Sequence, residues 1–327
     1  MRVLKLFGLL CVFTLASLFA TERAQASCTA TITSLNFGVI NPVTPTTVDV
    51  NATINYTCSS LITLLSYIKV CIEIGRGPQD TDVNSRVLTH TTISSEKLTY
   101  NVYSNPALTT VFGNVYGSAS PPVIIHHGPY AIGLLATARG SQTVHGRIPV
   151  TNPFMLRSVG QYNSTLPVTV RMAIVSVIGQ SPCTVTGTPA NISFPIAASL
   201  ISACKINAQP LNFGSQPSNF SVNVMSTSTI ASTCTKGTPY QIGLNNGLYA
   251  VGNQRRMKAG DGQFINYELY KDSARSQRWG AALNTAETLA GVATGATQNA
   301  SVYGKVVPQT GLRAANYKDT ITVTITY

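Results

Sequence analysis

The side chains best equipped for chemistry in this chain are its sulfurs. Seven cysteines occur in 327 residues, and Cys11 among them lies in an apolar leader. The remaining six are Cys28, Cys58, Cys71, Cys183, Cys204 and Cys234. Cysteines that hold zinc come in closely spaced pairs, and no C-x-x-C occurs here. An even number in an exported chain points instead to disulfides, with fifteen pairings open to six cysteines. Imidazole is the other candidate chemistry. His126 and His127 are adjacent, so on an extended segment they point to opposite faces, and His90 and His145 keep no fixed spacing to them. Gly-x-Ser-x-Gly, His-Glu-x-x-His and Gly-rich phosphate loops are all missing from the sequence. These residues predict no enzyme, no metal site and no cofactor.

Export is read from the first 26 residues. Arg2 and Lys5 supply a positive start, Leu6 to Ala20 an apolar stretch, and Ala24-Gln25-Ala26 a small-residue cleavage site. Gln25 stands where lipoprotein processing at Cys28 would want Leu, so an ordinary signal peptide over residues 1–26 is expected. Charged residues make up only 10% of the chain and its net charge is +11. The basic residues are scattered and form no run, which argues against a nucleic-acid partner.

A repeat positions the sulfurs. Cys28, Leu35-Asn36-Phe37-Gly38 and Cys58 recur at the same spacing as Cys204, Leu211-Asn212-Phe213-Gly214 and Cys234. Tyr100, Tyr103 and Phe112-Gly113 recur as Tyr267, Tyr270 and Trp279-Gly280. Val144 to Ile148 recurs as Val302 to Val306, and Tyr162 to Leu166 as Tyr317 to Ile321. If the copies share a fold, Cys28–Cys58 and Cys204–Cys234 are equivalent bonds, and Cys71–Cys183 is left over. After the last matching block the second copy stops at Tyr327, while the first continues through Asn191 to Ile201, a further strand through Ile192, Phe194, Ile196 and Leu200.

Strand patterns carry the rest. Ile321, Val323, Ile325 and Tyr327 alternate with threonines, Leu166 to Met172 alternates likewise, and so does Val48 to Tyr56. Helical periodicity is scarce, and Ala281 to Ala293 reads as loop. The expected organisation is all-β: two β-sandwiches in tandem, residues 27–202 and 203–327. A sandwich short of its final strand has to borrow one, and an open edge is an aggregation hazard.

The first copy is the longer, and its extra segments are apolar. They are Leu61, Ile62, Leu64 and Leu65; then Val123, Ile124 and Ile125 after Pro121-Pro122; Tyr130, Ile132, Leu134 and Leu135 after Pro129; and Phe154, Met155 and Leu156 after Pro153. Leu61 to Leu65 reads equally as a core strand or as a contact loop. The proline-flanked segments read as loops, and clustered apolar loop residues mark a contact surface.

Taken together, the cysteine, Phe-Gly, Tyr-x-x-Tyr, aromatic-Gly, Val-x-Gly and Tyr-x-[Ser/Asp]-Thr blocks resemble the spore-coat-U-like pilin domain of archaic (Csu-type) chaperone–usher pili. The second copy matches throughout, including Arg256-Met257; the first matches in framework only. The resemblance implies immunoglobulin-like sandwiches, the second lacking its final strand. It implies a periplasmic chaperone, an outer-membrane usher and a next pilin subunit as partners, with Ile321, Val323, Ile325 and Tyr327 as the strand-accepting edge. Two-domain subunits of this kind are tip adhesins whose apolar loops hold hydrophobic abiotic or host surfaces and promote biofilms. Cleavage after Ala26 leaves only Ser27 ahead of Cys28, too little to donate a strand, so a place at the fibre end, on the cell surface, is expected. Two alternatives stay open: a pilus lectin using Tyr130, Tyr162, Asn163 and Arg157 on a sugar or protein, and a non-pilus secreted coat protein.

Overall fold

The computed structural model describes residues 26–62, 65–114, 120–133, 135–179, 183 and 187–327. The expected signal peptide thus lies almost wholly outside the described residues, as do Leu64 and Leu134.

Ten strands precede residue 201: β1 (Ser27–Ile32), β2 (Leu35–Ile40), β3 (Val48–Leu61), β4 (Ser66–Ile74), β5 (Arg86–His90), β6 (Lys97–Tyr103), β7 (Val123–Tyr130), β8 (Leu135–Ile148), β9 (Gly160–Val175) and β10 (Ala190–Leu200). Eight follow: β11 (Cys204–Ala208), β12 (Val224–Cys234), β13 (Pro239–Leu244), β14 (Arg255–Lys258), β15 (Phe264–Tyr270), β16 (Leu289–Val292), β17 (Gln298–Val306) and β18 (Val323–Thr326). One short 3-10 turn spans Phe154–Leu156.

Period-two alternation decides which face each strand buries. In β3 the inward set is Ala52, Ile54, Tyr56 and Cys58, and in β10 it is Phe194, Ile196, Ala198 and Leu200. β1, β3, β8 and β6 form one layer; β2, β10, β9, β4 and β7 form the other, with β5 beside β9. β6 turns the corner, pairing with β5 through Tyr100 and with β8 from Asn101 to Tyr103. The layers meet where β8 passes β2: a Cβ added at Gly146 would overlap Leu35 and touch Phe37. Glycine is therefore required there for close approach.

The second domain has its own apolar core, centred on Trp279, Leu244 and Ile242. Its sheets run β11-β12-β17-β15-β14 and β16-β13-β18. The repeat is structural to fine detail. Gly38 and Gly214 both take φ of 72°, and each donates its N–H to the side chain two residues earlier, Asn36 at 2.9 Å and Asn212 at 2.8 Å. Phe37 stacks edge-on against Tyr100 at 6.1 Å and Phe213 against Tyr267 at 6.2 Å. Tyr162 donates its hydroxyl to the Ser158 carbonyl at 2.7 Å, and Tyr317 to the Arg313 carbonyl at 3.0 Å. Both are four-residue reaches backward, the first at the start of β9 and the second on the approach to β18.

Each copy also buries an arginine that the sequence reading passed over. Arg86 donates to the carbonyls of Ile74 (3.0 Å), Gly75 (2.9 Å) and Phe112 (2.8 Å) and to Asn101 Oδ1 (2.7 Å). Burial lowers its pKa to about 10. Arg255 does the same for Leu244, Asn245 and Trp279, at 2.9, 2.6 and 2.7 Å, and pairs with Glu268. The signal was available: Arg86 and Arg255 lie opposite Tyr100 and Tyr267 in their hairpins, tyrosines the repeat had already matched.

Candidate functional site

The two domains differ most where β10 lies. β10 sits between β9 and β2, antiparallel to the first (Phe194 opposite Leu166, Ile196 opposite Ser164) and parallel to the second (Ile196 opposite Leu35). In the second domain residues 317–326, ending in β18, take the place of β9, and Leu211 to Gly214 the place of β2. Among the described residues no strand runs between them. A groove of about 1050 Å³ opens there instead, its floor made of Leu211, Phe213, Leu269, Val302, Ile321 and Val323.

Burial records the difference. Leu35, Leu166, Val168 and Val170 are wholly buried under β10. Their counterparts Leu211, Ile321, Val323 and Ile325 are only half-buried, although they touch the second core. Local structure responds too. Leu211 to Gln216 forms no strand, and the alternating stretch from Asp319 pairs regularly only over β18, where β13 supplies the ladder. Tyr327, expected on the inward face, is exposed. Asp319 holds the groove's open end together: its carboxylate accepts the Tyr267 hydroxyl at 2.7 Å and the Leu248 N–H at 2.9 Å. Burial, and then Asp319, pushes the Tyr267 hydroxyl well above its ordinary pKa.

The first domain carries a second feature, an apolar tip. Leu61 and Leu135 face each other across the β3–β8 ladder, and the Gly133 N–H donates to the Ile62 carbonyl at 2.7 Å. Leu61, Leu65, Ile132 and Leu135 are 48, 63, 62 and 61% exposed. At the same end β9 finishes with Val175 opposite Tyr67, and the exposed Val177 and Ile178 follow. These two were absent from the sequence-based set, because no proline directly precedes them as Pro121-Pro122, Pro129 and Pro153 precede the other segments.

Other members of that set are elsewhere. Ile62 is fully buried because the β3 alternation runs on through Ser60 to it. Phe154 is buried because the 3-10 turn folds it into the first core. Val123, Ile124 and Ile125 are strand, not loop: β7 pairs with β4, with Cys71 opposite Ile124, and Val123, Ile125 and Tyr130 pack on the core. Met155 and Leu156 meet the second domain, where the Lys236 N–H donates to the Met155 carbonyl at 2.9 Å and a Cβ on Gly295 would press on Leu156. At this junction Lys236 Nζ lies 2.5 Å from Glu96 Oε1, with Arg157 3.6 Å from the same buried carboxylate. Burial works to raise the Glu96 pKa, but Lys236 and then Arg157 hold it below the ordinary value. With Tyr162 buried and Arg157 spent on Glu96, the polar residues considered for a sugar pocket do not converge.

The sulfurs pair as Cys28–Cys58, Cys204–Cys234 and Cys71–Cys183. The first two join directly opposed residues of neighbouring strands, each with Cα atoms 4.0 Å apart. The third ties β4 to the segment ahead of β10.

Comparison with known proteins places the chain. Its overall shape is similar to a chain of the CsuC-CsuE chaperone–tip adhesion subunit pre-assembly complex, from archaic chaperone-usher Csu pili of Acinetobacter baumannii. That match has 19% identity and a TM-score of 0.48, over 92% of this chain and 100% of that one. CfaE, the adhesive subunit of CFA/I fimbria of enterotoxigenic Escherichia coli, matches at 10% identity and a TM-score of 0.35, over 89% and 92%. No curated protein matches the sequence. The Spore Coat Protein U domain model matches twice, over residues 14–169 and 181–324. The chain therefore belongs to the Spore Coat Protein U domain family and carries two copies of its domain.

Proposed function

We propose that this protein is an exported pilus adhesin built of a self-completed binding domain, residues 27–202, and an anchoring domain, residues 203–327, that accepts a strand from another chain. The observation that carries this is the groove: the second domain is open where β10 completes the first. An incoming strand would add main-chain bonds along residues 317–326 and set apolar side chains on the exposed floor. Before that strand arrives the bare edge needs a chaperone, and assembly at the outer membrane needs an usher. The apolar tip supplies the contact with a hydrophobic abiotic or host surface, and many fibres on one cell add by avidity. Cleavage after Ala26 supports a fibre-end position, since Ser27 already begins β1.

Self-completion tests the proposal. A copy of Ala190–Leu200 is joined to Tyr327 through a flexible Gly/Ser linker, and unfolding is followed by the fluorescence of Trp279, the single tryptophan, buried in the second core. Burying Phe, Ile and Leu side chains gains about 1.5–3 kcal/mol each before ordering costs. A rise in the Trp279 transition of about 10 °C is expected. An unchanged transition refutes strand acceptance.

A further inference from the structure

The first domain shows what lies on either side of the strand that lines the groove. β5 flanks β9 on one side, with Thr89 opposite Asn163 and His90 opposite Tyr162. β10 flanks it on the other, with Ala197 opposite Asn163 and Ala198 opposite Tyr162. The second domain reproduces only the first side. Lys258 stands for Thr89 and Lys318 for Asn163, and the two exchange backbone bonds of 2.9 and 3.0 Å. A neutral Thr–Asn pair has thus become two lysines directly opposed, an arrangement that repels.

Neither ammonium is neutralised. Both lysines are exposed, and among the described residues no ion pair engages either. Lys258 rests over the Tyr249 ring at 5.4 Å, beside Arg256, which lies over Phe264 at 4.2 Å. The nearby acids are committed elsewhere: Asp319 to Tyr267 and Leu248, and Asp261 to Arg313 at 3.5 Å. The free side of Lys318 faces the groove edge. On the far side of Ala197 lies Asn36, whose counterpart Asn212 accepts the Gly214 N–H through Oδ1 and keeps its amide hydrogens to donate. A residue placed like Ala197, pointing outward between the buried Ile196 and Ala198, would find two cations on one side and an amide donor on the other.

We propose, on the basis of strand acceptance by the second domain, that the strand filling the groove runs antiparallel to residues 317–326 and carries Asp or Glu at the position Ala197 holds in β10. Its carboxylate meets Lys318, with Lys258 behind. Its inward residues keep the size order of β10, large over Ile321 and small over Tyr317. The acidic position thereby sets register as well as partner choice, because a two-residue slip would carry the charge away from the lysines.

Three labelled peptides test this on the full chain by fluorescence anisotropy: Ala190–Leu200 itself and its Ala197→Glu and Ala197→Lys variants. The Glu peptide is expected to bind about 3- to 10-fold more tightly than the Lys peptide, as solvent-exposed charge pairs allow. The Ala peptide falls between them, and the spread collapses in Lys318→Ala protein and in high salt. Equal binding by all three overturns the acidic position and leaves strand acceptance standing. Failure of every peptide to bind overturns strand acceptance, and this proposal with it.

Discussion

Replacing Leu65 and Ile132 by serine removes two of the four most exposed apolar side chains that the β3–β4 and β7–β8 connections bring together. Fully burying a Leu or Ile gains about 1.5–3 kcal/mol over leaving it exposed. These residues are 63 and 62% exposed, so about 1 kcal/mol remains to be gained from each on contact with an apolar surface. The pair is then worth about 2 kcal/mol, or roughly 30-fold in affinity at about 1.4 kcal/mol per tenfold. The assay is an adsorption isotherm of the purified chain on a methyl-terminated monolayer, read by quartz crystal microbalance. The control is Val39→Ser with Val150→Ser. Both residues are exposed, but Val150 follows the other end of β8, about 40 Å away along the strand at the usual rise per residue. An unchanged isotherm for Leu65→Ser with Ile132→Ser, or an equal loss in the control, refutes the tip as the contact surface. Thermal unfolding should be unaffected in both variants, since neither pair sits in the core.

Three further outcomes are expected. Replacing Cys71 and Cys183 by alanine opens a loop of 112 residues and should cost the first domain about 2–5 kcal/mol, seen as a lower urea midpoint with the Trp279 transition unmoved. Glu96 is held below its ordinary pKa of 4.5 by Lys236 and Arg157. Its contribution is therefore present above that value and lost as pH falls through the depressed folded pKa. Because Lys236 is 44% exposed, the loss is discounted to about 1 kcal/mol, and Glu96→Gln should flatten the acid limb of a pH–stability curve. Gly146→Ala should destabilise by about 1–3 kcal/mol through overpacking against Leu35. Gly304→Ala should cost less, because its neighbours Leu211 and Phe213, 2.9 and 2.8 Å from the added carbon, are not clamped by a completing strand.

The frame of the fold was legible because the repeat let one copy calibrate the other. The matched spacing made Cys28–Cys58 and Cys204–Cys234 equivalent bonds if the copies shared a fold, alternation marked β9, and Ile192, Phe194, Ile196 and Leu200 marked β10. The open groove was foreseeable for the same reason, as a strand present once and missing once. The apolar insertions were harder, because a short apolar run has the same composition inside and outside. Leu61 and Ile62 are neighbours with opposite fates, decided by the phase of β3, which the run itself does not reveal. Pro121-Pro122 suggested a loop, yet Val123 to Tyr130 pairs with β4 because proline at a strand entry forfeits no ladder bond. Pro153 made Phe154 to Leu156 read as a contact loop. It ended at the junction, since only tertiary structure brings Lys236 and Glu96 to that turn.

β9 has a mechanical meaning. It is one unbroken strand of 16 residues, running from Gly160, beside which the Val159 N–H donates to the Lys236 carbonyl of the second domain at 3.3 Å, to Val175 just before the exposed Val177 and Ile178. A pull on the second domain enters the first through Leu200, the end of β10 that leads to Cys204, and passes to β9 through their shared ladder. Antiparallel ladder bonds lie across the strand, so β4, β5 and β10 resist such a load in shear, many bonds together, instead of peeling one at a time. Cys71–Cys183 adds a covalent tie between β4, where Cys71 stands opposite Arg171 of β9, and the segment ahead of β10. β9 is thus the strand through which load crosses from β10, and the strength of that joint is set by the length of their pairing, from Gly160 to Val170.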